Sequence, residues 1–269
     1  HRVGAIVFPD VWVVQKKTTV SCEGTTVSVK EHTKKADFFD SRDKYLSFVN
    51  STNEKSSIAF KLSSYLKKVQ IKSDAFRIFD AGTGEGTIIS TLLSAAHEQF
   101  PEDPIYVVGK EISVDDIENL LSFLADRFFE HKNLIFCITN ASYKEFTNKN
   151  LSKIKFIKKE LKGNTSFNFT KQLMRMNSLI KKNWELKEDN KSTLLIPKSK
   201  TFLAIYREDK KIALDHLIPR KINDIPDKFN FIIASQAFRL RSPYKRTMKL
   251  IIQPLLNMLE TKGQFFLIY

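Results

Sequence analysis

Asp80-Ala81-Gly82-Thr83-Gly84-Glu85-Gly86 is the stretch on which the reading of the whole chain turns. The apolar run Phe76-Arg77-Ile78-Phe79 stands directly before it. Ile88, Leu92, Ala95 and Ala96 follow on one face of a helix expected over residues 87–98. Glycines let the backbone turn sharply and approach a ligand closely, because no Cβ stands in the way. The N–H groups that open the following helix can meet an anionic group. The three glycines fall at every second residue, unlike the G-x-G-x-x-G of a dinucleotide fingerprint. That spacing favours a ligand bearing a carboxylate over one bearing a pyrophosphate.

Outward from this turn the chain alternates regularly. Residues 105–108 predict a second strand, 115–129 a second helix and 134–138 a third strand bounded by Thr139-Asn140. The pattern resumes with a strand at 229–234, a helix near 245–259 and a closing strand at 265–269 after Lys262-Gly263. Strands separated by helices of this length imply βαβ units and a parallel sheet. Upstream, Ile58, Leu62, Tyr65 and Leu66 continue a helical pattern begun by Tyr45, Phe48 and Val49, with a polar break at 50–53. Residues 1–40 read as an N-terminal β-hairpin around Cys22-Glu23-Gly24. The interval 143–225 is too long for a connection and predicts an inserted subdomain between strands three and four. Within it Leu151, Ile154, Ile157 and Leu161 form one amphipathic stripe, expected as a helix. Phe169, Leu173, Met176, Ile180 and Trp184 form a second, and 201–206 with 212–217 read as a hairpin around 207–211.

With those residues in view, the chain resembles the class I S-adenosylmethionine (SAM)-dependent methyltransferases. Their first motif is an acidic residue followed by G-x-G-x-G, which FDAGTGEG matches throughout. The resemblance implies a Rossmann-like α/β fold, a parallel sheet with flanking helices, formed by 41–142 and 226–269. It implies that Asp80, Gly82, Thr83, Gly84, Glu85 and Gly86 wrap the methionine end of SAM. Glu111, closing Val107-Val108-Gly109-Lys110, falls where a carboxylate takes the ribose hydroxyls. Asn140 and Ala141 fall where the family faces adenine, usually with Asp. After the fourth strand, Ala234-Ser235-Gln236-Ala237-Phe238-Arg239 lacks the Asn/Asp-Pro-Pro-Tyr motif of many DNA and protein amide methyltransferases. Gln236, Arg239 and Arg241 are the candidate acceptor residues, and suit an anionic small molecule or peptide. The family's sixth and seventh strands have no counterpart after Tyr269. The insertion is expected to roof the acceptor pocket, so that removing 150–215 would change acceptor choice more than SAM affinity.

Composition sets the outer bounds. The chain has 269 residues, 42% of them apolar, enough to bury a proper core. Two cysteines and five histidines suggest neither a disulfide framework nor a metal cluster, and a cytoplasmic setting is expected. No apolar run reaches the length of a membrane span. His1 reads as a trimmed start. The net charge of +14 invites nucleic acid, but the excess is mostly Lys, accompanied by much Phe, Ile and Asn. A/T-rich codons produce the same skew. An RNA methyltransferase or nucleic-acid-binding protein using the basic insertion is the alternative reading, and a nicotinamide oxidoreductase is disfavoured by the glycine spacing. Asp215-His216 invites a general-base role, yet adjacent side chains on a strand point apart. No catalytic residue is assigned.

Overall fold

The computed structural model describes residues 53–148, 153–189, 192–235, 237 and 244–268. The expected hairpin at 1–40 and the helical pattern of Tyr45, Phe48 and Val49 lie outside them. The described chain opens with helix α1 (Glu54–Ser63), then runs through β1 (Phe76–Ala81), α2 (Thr87–Gln99), β2 (Ile105–Lys110), α3 (Val114–Glu130) and β3 (Leu134–Thr139). It continues with α4 (Tyr143–Thr147), β4 (Ile154–Leu161), α5 (Ser166–Met174) and α6 (Asn177–Asn183). Next come β5 (Leu186–Asp189), β6 (Ser192–Pro197) and β7 (Lys200–Arg207). The last elements are α7 (Lys211–Leu214), β8 (Phe229–Ser235), α8 (Tyr244–Thr247), α9 (Gln253–Asn257) and β9 (Leu259–Ile268).

Seven strands form one sheet in the order β4-β7-β3-β2-β1-β8-β9. β1 pairs in parallel with β2 (Phe76 opposite Ile105) and with β8 (Ile78 opposite Phe231). β3 and β9 extend the parallel set on either side. The carboxyl ends of five strands therefore meet at one edge, where a ligand of an open α/β sheet binds. This is the Rossmann-like α/β architecture. The strands read as unbroken apolar runs because helices cover both faces. Ile78, Val107 and Phe136 pack on one face with Leu62, Leu92, Leu121 and Phe169. Phe79, Val108 and Cys137 pack on the other with Phe146, Leu214 and Leu255.

The interval between β3 and β8 differs from expectation. Residues 154–161 form a strand, not a helix. Ile154 and Phe156 turn to one face of the sheet, and Ile157 and Leu161 to the other. A strand apolar on both faces can place Ile154, Ile157 and Leu161 at spacings of three and four and so imitate a helical stripe. The second stripe is helical but broken between Met174 and Asn177 into α5 and α6. The hairpin expected at 201–217 is absent. β7 is buried from Thr201 to Arg207 and lies antiparallel to β3 and parallel to β4. Beyond it the chain coils into α7, with Ile212 94% exposed and Leu214 buried. The hairpin of this region is β5–β6, which forms a separate two-stranded sheet. β4 and β7 widen the sheet on its β3 side. Further on, β9 begins at Leu259, and Lys262, at φ 68°, sits in a register shift within it. The helix before β9 opens into a π turn at Met248–Ile252, just before Pro254. The wider turn accommodates a ring that has no N–H and would crowd the carbonyl four residues back.

Candidate functional site

At the end of β1 the backbone turns through three left-handed glycines, with φ of 108° at Gly82, 56° at Gly84 and 95° at Gly86. They are needed for different reasons. A Cβ on Gly86 would lie 2.5 Å from Leu120 Cδ1 and 3.2 Å from its Cα, so this glycine lets α2 pack against α3. A Cβ on Gly82 would lie 3.1 Å from the Ser235 carbonyl oxygen, which closes the turn against the end of β8. A Cβ on Gly84 would meet nothing within 4 Å. It would point into a cleft of about 150 Å³, lined by the turn together with Glu54, Lys55, Ile58, Glu111 and Ser235. Gly86 also begins α2 with no side-chain cap, leaving that helix N-terminus to other partners.

The cleft is acidic in a basic protein. Glu54, Glu85, Glu111 and Asp116 line it, and among the described residues Lys55 is the one lining cation. Asp80 lies beneath the turn, 2% exposed. Burial, reinforced by the charges of Glu111 and Glu85, pushes its carboxyl up to about 7, although the Thr83 hydroxyl opposes the rise. Burial also works to raise Glu85. There the hydrogen bond and charge of Lys55 prevail and hold it below the usual carboxylate range. The Lys55 ammonium pairs directly with Glu85 Oε2, and the Thr87 hydroxyl donates to Glu85 Oε1 at 2.9 Å.

Glu111 stands at the end of β2 across from the turn. Its Oε2 accepts the Gly84 N–H at 2.9 Å, and its Oε1 accepts those of Ile112 (2.7 Å) and Ser113 (2.9 Å). Asn140 and Ala141 are occupied otherwise. Asn140 donates to the carbonyls of Asn183 (3.2 Å) and Ser199 (3.1 Å) and accepts the Thr201 N–H at 2.7 Å, while the Ala141 N–H donates to Thr139 Oγ1. Both residues are buried. The Asn140 side chain thus clamps the end of β3 to the start of β7. The Trp184 indole, 1% exposed, sits alongside and donates to the Glu111 carbonyl at 2.9 Å. Beyond it Ile112, Ser113, Val114, Lys181, Trp184 and Leu186 wall a second cavity of about 490 Å³.

Gln236, Arg239 and Arg241 lie outside the described residues. His216 approaches Asp74 at 3.6 Å, before β1 and so at the opposite end of the sheet. Its neighbour Asp215 pairs with Arg220 at 2.6 Å, and no general-base pair forms. Sequence reading missed Lys55, Ile58, Ser235 and Trp184. Ser235 could have been found from its place at the end of a parallel strand. The others had no signal, because only the folded chain brings them to the turn. Some lysines of the insertion face carboxylates: Lys162 with Glu208, Lys181 with Glu118, Lys198 with Glu185 and Lys211 with Glu160. Among the described residues no group of three or more His, Cys, Asp or Glu could hold a metal, and no helix is long and apolar enough to cross a membrane.

No protein-family model matches the chain, and no curated protein matches it. Among solved structures it is similar to a crystal structure from Listeria monocytogenes, provisionally described as a class I S-adenosylmethionine-dependent methyltransferase. Identity is 12% and the TM-score 0.35, over 78% of this chain and 44% of that one. The chain thus spans less than half the length of that protein. Likeness of this degree carries nothing about chemistry.

Proposed function

We propose that the chain is a SAM-dependent methyltransferase whose donor lies across the carboxyl ends of β1 and β2. The observation that carries this reading is the acidic lining of a glycine cradle. The open side of Gly84 admits a ligand to backbone contact, and Asp80, Glu85 and Glu111 favour a cation there. A dinucleotide pyrophosphate would meet the same carboxylates with like charge. SAM carries a sulfonium and an ammonium against one carboxylate. The uncapped N-terminus of α2 would take the carboxylate. Asp80 and Glu85 would face the positive groups. Glu111 would exchange its Gly84 partner for ribose hydroxyls while Ile112 and Ser113 keep the carboxylate oriented. The base would enter the second cavity, against Ile112 and Leu186, in place of the contact expected at Asn140.

When bound, SAM supplies a methyl group already activated on sulfur, so the protein's task is chiefly proximity and alignment. The glycine turn and Glu111 fix the donor from two strand ends. Ser235, at the end of β8, marks the side from which an acceptor would approach. The test is calorimetric titration with SAM and, in parallel, NAD. SAM should bind and NAD should not, and Gly84→Val should abolish SAM binding while thermal unfolding stays cooperative. A folded protein that ignores SAM, or that takes NAD instead, would overturn the proposal.

A further inference from the structure

Lys55 stands inside the cleft from an element outside the glycine motif. It belongs to the first turn of α1, and its ammonium is spent on Glu85, the carboxylate at the tip of the turn. Both side chains are mostly buried, at 19% and 14% exposure. The cleft therefore contains a cation of its own, beside the glycine where a ligand's positive end would come. A fixed ammonium there partly cancels the field of Asp80, Glu85 and Glu111. It opposes the binding of a ligand of net charge +1, and acts less on a zwitterion of no net charge.

We propose that Lys55 is a specificity-determining residue that limits how strongly the cleft prefers a cationic donor over its zwitterionic, net-neutral demethylated product. The inference rests on the methyltransferase reading. In the transfer, the carbon–sulfur bond of the sulfonium breaks and the methyl joins a nucleophilic atom of the acceptor. The sulfur keeps the bonding pair as a thioether, and an N–H or O–H acceptor gives up its proton to solvent. The donor's net charge thus falls by one while its shape hardly changes. Charge at the cleft is what tells SAM from S-adenosylhomocysteine. Lys55 weakens that distinction and keeps the charged ligand from being held too tightly. Removing the ammonium while keeping a chain of similar length makes the cleft more negative by one charge.

The experiment measures the affinities of SAM and S-adenosylhomocysteine by calorimetry for the unaltered protein, Lys55→Gln and Lys55→Arg, each checked for cooperative thermal unfolding. Lys55→Gln should raise the ratio of SAM to S-adenosylhomocysteine affinity by about fivefold or more at low salt, less as salt is added. Lys55→Arg, which keeps the charge, should leave the ratio near its original value. An unchanged or lowered ratio in Lys55→Gln, or an equal change in both affinities, would overturn the role of Lys55 and leave the methyltransferase reading intact. Failure of the unaltered protein to bind either ligand would remove that reading, and the inference with it.

Discussion

Gly84 and Gly86 belong to one motif and fail differently. Alanine at Gly86 adds left-handed strain to a clash with the Leu120 side chain and a tight approach to its Cα, and should cost about 2–4 kcal/mol of stability in urea unfolding. Alanine at Gly84 costs only the backbone strain, about 1–2 kcal/mol, but its methyl enters the cleft and should weaken SAM disproportionately. Sequence spacing treats the two alike, because it records that a residue lacks a Cβ and not what the Cβ would strike. Asp80 adds a dependence on pH. Its free-state value of about 7 means that the carboxyl is largely protonated at pH 6 and largely ionised at pH 8. A cation binds the ionised form better and expels the proton on binding. SAM affinity should therefore rise with pH between 6 and 8, by at most about tenfold per unit. Calorimetry in two buffers of different ionisation enthalpy should detect the released proton near pH 6. Asp80→Asn should flatten both effects.

Elements with a clear local pattern were legible, and those fixed by distant pairing were not. β1, α2, β2, α3 and β3 fall within two residues of the bounds expected for them, since a buried parallel strand and an amphipathic helix leave distinct patterns. β4 was read as a helix, and β7 as a strand with the wrong partner, because pairing decides them. β4 is half-buried at the edge of the sheet, and β7 finds its partner β3 some sixty residues back, where Thr139 accompanies Thr201. Asn140 shows the same influence of pairing. Its place after a strand suggests a ligand contact, yet β7 claims its amide first. Asn140→Ala should leave the Thr201 N–H and two carbonyls without their partner and cost about 1–3 kcal/mol. Denaturation should show that loss, and SAM affinity measured below the transition should change little. A large loss of affinity with stability intact would return Asn140 to the ligand site.

Across the whole molecule, the interval between β3 and β8 is a wall of the fold as well as a border of the cleft. β4 and β7 cover one side of β3, while Phe169, Leu173, Ile180 and Trp184 complete the core beneath α3. Excising 150–215 should thus abolish cooperative unfolding and near-ultraviolet circular dichroism, rather than alter acceptor choice in a protein that still binds SAM. A cooperatively folded remnant would show the interval to be dispensable. The same topology has a consequence in time. β1 is the middle one of the five parallel strands, and the bond from its Arg77 N–H to Asn230 spans 153 residues. At roughly 5–20 residues per second, a ribosome needs about 8–30 s to deliver that partner. Through that interval the nascent chain carries the complete glycine motif on the open flank of a half-built sheet. Gly82 has nothing to close against until Ser235 emerges, so the newborn protein acquires this cleft only once β8 has been made.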